Sequence, residues 1–170
     1  MSKIIDERPQ YQSNLLFVDL LGRNFSRLLL LFLWLSVFYM YKHLPDIIPT
    51  HFNVSGEVDD YGNKYTLFLI PLLGTVLFVV ISILVRYTEK FNYPVKITPT
   101  NAQRQYVLAT RLIRWLNVTI MIVFNGLLWL IYYSAIKSEA VQAMFIAVLL
   151  ILLTFVPLVI YFIASYRQKN

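Results

Sequence analysis

Three apolar runs without a single charged residue, Tyr65–Val85, Trp115–Ile136 and Val141–Tyr166, decide what this chain can become. Each reaches the ~20 residues that a helix needs to cross a hydrocarbon core about 30 Å thick. A fourth run, Leu28–Tyr41, lies between Arg27 and Lys42 and is shorter. At ~1.5 Å per residue it covers only roughly 21 Å, so Arg27, Lys42 and His43 must snorkel or the bilayer must thin around it. The rest of the chain cannot supply a soluble coat, since charged residues make up 14% of it against about a quarter in globular domains. The expected fold is an all-α membrane protein with four transmembrane helices in an antiparallel bundle. The spans fall at about 28–43, 65–85, 115–136 and 141–166, inside one membrane domain of residues 28–170. Gly74, Gly126 and Ala147 are the small residues that would let these helices approach closely, and Asn117 and Asn125 would hydrogen-bond between them.

Before the first span, Leu15, Phe17, Val18, Leu21 and Phe25 recur at helical spacing among Asp19, Arg23 and Asn24. This predicts an N-terminal interfacial amphipathic helix within residues 1–27, either lying at the membrane surface or packed on the bundle. Met1–Gln10 has neither an apolar core nor a small-residue cleavage site, so no cleaved leader is expected. In the second span Pro71 frees the carbonyl of Leu67 and predicts a kink close to the external end.

Lysine and arginine fix the expected orientation. Lys3, Arg8, Arg23 and Arg27, then Arg86, Lys90, Lys96, Arg104, Arg111 and Arg114, then Arg167 and Lys169 lie on one side; only Lys42, Lys64 and Lys137 lie on the other. By the positive-inside rule both termini and the 86–114 segment are cytoplasmic, and the 44–64 loop is external. The net charge of +6 is thus a matter of topology, and nucleic acid is not an expected partner; membrane lipid is. Thr98-Pro99 should start a long helix that continues into the third span. Arg104, Arg111 and Arg114 form a cytoplasmic basic face on it, able to reach lipid phosphates or a partner, or simply to snorkel.

The external loop is where the chain becomes chemically particular. Pro45 and Pro49 bias their neighbours toward extended backbone, Gly56 suits a turn with positive φ, and His51 and Asn53 would point the same way on a strand. Asp46, His51, Glu57 and Asp59 offer a nitrogen and carboxylate set for a divalent metal, though without the spacing of a zinc or calcium motif. The alternative is that His51 and Asn53 tie down the loop's own backbone. No Ser-His-Asp arrangement is indicated, and no catalytic residue is expected.

The order Leu44, Pro45, Asp46, Ile48, Pro49, His51, Phe52, Asn53, Gly56 and Asp59, closed by Lys64, resembles the bacterial membrane family called domain of unknown function 1648. That family is related to the N-terminal module of SdpI-type immunity proteins. The resemblance implies a bacterial cytoplasmic membrane and candidate binding or loop-structuring roles for Pro45, Asp46, Pro49, His51, Phe52, Asn53, Gly56, Asp59 and Lys64. The expected function is a non-enzymatic membrane protein whose external loop recognises a peptide or envelope partner, in toxin immunity or envelope signalling. The alternatives are a metal-dependent membrane hydrolase using the His and acid loop and, behind it, a small-solute transporter. Transport usually needs ionisable groups inside the spans, and these spans offer only the two asparagines. The sequence leaves the oligomeric state open.

Overall fold

A computed structural model describes residues 8–10, 16–137 and 141–169. The elements run α1 (Phe17–His43), β1 (Ile47–Phe52), β2 (Val58–Asn63), a 3-10 turn (Lys64–Phe68), α2 (Leu69–Leu84), a second 3-10 turn (Val85–Lys90), α3 (Ala102–Lys137), α4 (Val141–Leu153) and α5 (Val156–Arg167). Four helical stretches are long and apolar enough to cross a membrane: Phe17–His43, Lys64–Lys90, Ala102–Ile136 and Phe145–Arg167. Their outer faces carry exposed leucine, valine, isoleucine and phenylalanine, as in the stripe Leu28, Leu31, Leu35, Phe38 on α1 and Leu72, Val76, Val80, Ile83 on α2. Water would penalise such stripes and lipid does not, so this is a membrane protein.

Helix α3 is the axis of the bundle, packing against α1, α2, α4 and α5. Its C-terminal half shares the main apolar cluster, in which Leu128 meets Leu33, Val37 and Met40 of α1, Leu44, Ile48 of β1 and Leu67. Close approach follows from missing side chains. A Cβ on Gly74 would sit 3.1 Å from Leu33 and 3.2 Å from Phe124, and one on Gly126 would collide with Leu150. Ala147 is half-buried. The asparagines bridge helices as expected: Asn125 Nδ2 donates to Leu29 O of α1 (3.1 Å), and Asn117 Nδ2 to Phe78 O (3.2 Å) and Ser82 Oγ (3.0 Å) of α2.

Four expectations need correction. The interfacial helix and the short first span are one continuous helix of 27 residues; Asp19 turns onto Arg111 and Arg114 of α3, whereas Asn24 and Arg27 stay exposed. The part of the expected interfacial helix before Leu16 lies outside the described residues. The irregularity expected near the external end at Pro71 takes the form of a change from 3-10 to α backbone at Phe68–Leu69, and Pro71 stands in the first turn of α2, where a missing N–H is tolerated. The fourth span is instead two helices. Pro157 cannot donate to Leu153, and the chain turns at Thr154 and Phe155, where Thr154 Oγ1 donates to Ile151 O at 2.6 Å. Finally, α3 begins at Ala102, but Thr98 still caps it: Thr98 N donates to Asn101 Oδ1 (2.9 Å) while Asn101 N donates to Thr98 Oγ1 (3.3 Å).

Candidate functional site

The 44–64 loop is a two-stranded antiparallel hairpin with its base in the core. Leu44, Ile48 and Pro49 are buried, so the first strand is held against the bundle from below, and β1 also touches α3. Pro49 has no N–H for the ladder, and the register shifts between Pro49 and His51 and again between His51 and Phe52. This bulging aims His51 outward, where Nδ1 meets Asp59 Oδ1 at 2.5 Å with 66% of the His51 side chain exposed.

The tip is closed by Asn53. Its Oδ1 accepts from Ser55 N (2.9 Å) and Glu57 N (3.0 Å), and its Nδ2 donates to Glu57 Oε2 (3.0 Å). Gly56 sits at φ 84°, the left-handed backbone that the turn requires, and its N–H donates to Asn53 O at 2.9 Å. The base is closed by Lys64, which bonds Leu44 O (3.2 Å), pairs with Asp46 (3.0 Å) and lies 4.9 Å from the centre of the Tyr41 ring. Of the residues named from sequence, His51, Asn53, Gly56, Asp59, Asp46 and Lys64 all enter these clasps. Pro45 is exposed and Phe52 half-buried beside them.

The four candidate metal ligands do not converge. Asp59 is engaged by His51, Glu57 by Asn53 and Asp46 by Lys64, each at a different height on the hairpin. Among the described residues no group of three His, Asp or Glu side chains is placed to hold a metal ion. Asn53 does tie down the backbone of the tip, whereas His51 bonds a side chain, Asp59, and no backbone group among the described residues.

The basic face needs a correction as well. Arg104 is exposed, but Arg111 and Arg114 turn onto Asp19 at 3.3 and 3.2 Å. Asp19 is 4% exposed, and its second oxygen caps α1 by accepting from Leu16 N at 3.0 Å. Arg114 meets the carboxylate without good hydrogen-bond alignment, leaving Nη1 buried and unbonded. Sequence reading missed this ionic junction, although an acid placed on the apolar face of an amphipathic helix was the available sign.

Nearby, Asn101 and Gln105 are fully buried and hold the end of α5. Gln105 Nε2 donates to Ser165 O (3.1 Å) and Gln168 O (3.0 Å), and Asn101 Nδ2 to Lys169 O (2.7 Å). Ser165 O belongs to the last turn of α5 and has no partner within the helix, and the carbonyls of Gln168 and Lys169 follow it just past the helix end. Tyr93 Oη donates to Thr88 O at 2.7 Å, and burial pushes its phenol above the ordinary range, so it stays a donor.

The first span, the hairpin and the start of α2 match the family model described as "Domain of unknown function (DUF1648)" over residues 28–75. Over these residues the chain is similar to DUF1648. The clasps at His51, Asn53 and Lys64 all lie inside the matched residues, whereas the Asp19 junction and the whole of α3 lie outside them. An "Uncharacterized protein" of Archaeoglobus fulgidus is 26% identical over 145 residues, covering 77% of this chain and 78% of its own length. No solved structure matches the chain.

Proposed function

We propose that this chain is a non-enzymatic membrane protein whose DUF1648 hairpin recognises a peptide or envelope partner outside a bacterial-type cytoplasmic membrane, with both termini inside. The observation that carries the reading is the hairpin's outer strand. Among the described residues β2 pairs only with β1; Tyr61 N is taken by Asp60 Oδ1 and Asn63 O by Thr66 Oγ1, and an extended partner would add along the rest of the outer edge. Exposed Asp59, Asp60 and Tyr61 lie along that strand, which suits an extended partner carrying basic and aromatic side chains. Pre-organisation supports the same reading, since Asn53, Gly56 and Lys64 fix the hairpin before any partner arrives and lower the ordering cost of binding. The lysine and arginine asymmetry supports an external hairpin.

Protection against a secreted peptide toxin, the role suggested by the resemblance to SdpI-type immunity proteins, is the specific form of this proposal. The test is a deletion strain challenged with such toxins, beside a strain carrying a photoreactive phenylalanine at position 61. Loss of survival on deletion, with a peptide adduct at position 61 that Asn53→Ala abolishes, is the expected result. Unchanged survival together with no hairpin-dependent adduct defeats the proposal.

A further inference from the structure

At the end of the bundle away from the hairpin, a cavity of about 360 Å³ opens between α1, α3 and the 3-10 turn that follows α2. Four arginines line it: Arg23 and Arg27 from α1, Arg86 from the 3-10 turn and Arg114 from α3, joined by Ser82 and Asn117. Arg27 and Arg86 are exposed at its mouth, while Arg23 and Arg114 lie deeper and are half-buried. No acidic residue lines it.

The charge is not balanced from within. Asp19 is shared between Arg111 and Arg114, and among the described residues no carboxylate forms an ion pair with Arg23, Arg27 or Arg86. One donor atom, Arg23 Nε, is buried without a hydrogen-bond partner, whereas Arg114 Nη1 faces Asp19 at 3.2 Å. Like charges around so small a volume repel strongly once water is thinned out, and an anion in the middle converts that repulsion into attraction. Guanidinium forks match phosphoryl oxygens in shape and in donor count.

Depth identifies the source of the anion. Arg23 and His43 lie at opposite ends of α1, roughly 30 Å apart along the helix axis, which is about the thickness of the hydrocarbon core. With the hairpin end at one interface, the arginine cavity lies at the other, level with lipid headgroups. We propose that this cavity is a phosphoryl-binding site occupied by the headgroup of an anionic phospholipid. Arg27 and Arg86 admit it, and Arg23 bonds its oxygens from below, with the Arg114 charge behind it held on Asp19. A zwitterionic choline headgroup fits poorly, because its own cation would face the same arginines.

The test is the unfolding temperature of the full chain in dodecyl maltoside, titrated with phosphatidylglycerol, phosphatidylcholine or inorganic phosphate at matched ionic strength. Phosphatidylglycerol should stabilise the protein and phosphatidylcholine should not. Arg27→Gln and Arg86→Gln should each raise the half-maximal lipid concentration about tenfold, the loss of one charge-assisted contact. Arg104→Gln, an exposed arginine outside the cavity, should leave it unchanged. Both cavity variants relieve repulsion, so the lipid-free protein should keep or gain stability, and Arg86→Lys should retain part of the response. Stabilisation by inorganic phosphate equal to that by phosphatidylglycerol keeps the phosphoryl chemistry and assigns the site to a soluble phosphate compound. Equal responses to the two lipids, or a phosphatidylglycerol response that neither glutamine variant weakens, overturn the proposal.

Discussion

Replacing Asp19 with asparagine isolates one charge at the junction of α1 and α3. The amide keeps the shape and can still cap Leu16, so the helix N-terminus should lose little. What changes is that Arg114, with 11% of its side chain exposed, and Arg111, with 30% exposed, lose their carboxylate. Removing one member of a buried pair costs roughly 3–5 kcal/mol, because the remaining charge stays desolvated. Arg111 is exposed enough to regain water, so its share is discounted toward the ~1 kcal/mol of a surface pair. The expected loss is therefore set mainly by Arg114, at about 3 kcal/mol. Denaturant unfolding in mixed micelles, followed by Trp115 fluorescence with Trp34 and Trp129 replaced by phenylalanine, reads it directly, since Trp115 packs 3.7 Å from where a Gly22 Cβ would stand. A double-mutant cycle with Arg114→Gln completes the test: in the Asp19→Asn background the second change should cost little or restore stability. A single-mutant loss below about 1 kcal/mol would refute the argument, because it would put the junction in the class of solvated surface pairs.

Three further outcomes follow from the hairpin and the helix ends. Asn53→Ala removes an acceptor from two backbone N–H groups and should open the tip by about 1–2 kcal/mol; faster amide exchange at Ser55 and Glu57, with α3 unaffected, is the readout. His51→Ala should cost no more than about 1 kcal/mol, because the Asp59 pair is exposed, and elemental analysis of the mutant and the parent should give the same metal content. The fold holds Tyr93 protonated, whereas the unfolded chain ionises near pH ~10. Its stabilising share is therefore present below that pH and lost as pH rises above it, so denaturant midpoints measured from about pH 8 to 11 should fall less steeply in Tyr93→Phe.

The spans were legible because lipid imposes a simple rule, a long uncharged run, and Tyr65–Val85 and Trp115–Ile136 obey it openly. The hairpin was legible as a fixed path, since Pro49 and Gly56 restrict the backbone wherever they stand. Its clasps were only partly so. The pairing of His51 with Asp59 depends on bulges at Pro49 and His51 that no local pattern announces. Least visible were contacts made between distant segments. Asp19 and Arg114 lie far apart in sequence and meet only when α1 crosses α3, so a helical-wheel reading sees an interrupted apolar face on one and a snorkelling arginine on the other. The break at Pro157 and the milder change from 3-10 to α backbone ahead of Pro71 differ for the same reason. A proline's effect depends on its distance from the helix start, and that start was unknown.

Helix α1 joins the two polar ends of the molecule. Its C-terminal turns place Leu33, Val37 and Met40 beneath Ile48 and Leu44, so the hairpin stands on the same cluster that joins α1 to α3. Its N-terminal turns carry Asp19, Arg23 and Arg27, which set the ionic junction and half of the arginine cavity. Between them Asn125 donates to Leu29 O, pinning the middle of α1 to α3. Helix α1 is thus held at three heights. Asn125→Leu removes the middle hold at a cost of roughly 0.6–1.7 kcal/mol while leaving both ends intact. Amide exchange in that variant should rise along the centre of α1 with hairpin protection unchanged. If hairpin protection falls as much as that of the centre, the hairpin's stability comes from the whole length of α1 rather than from the Leu33 to Ile48 cluster alone.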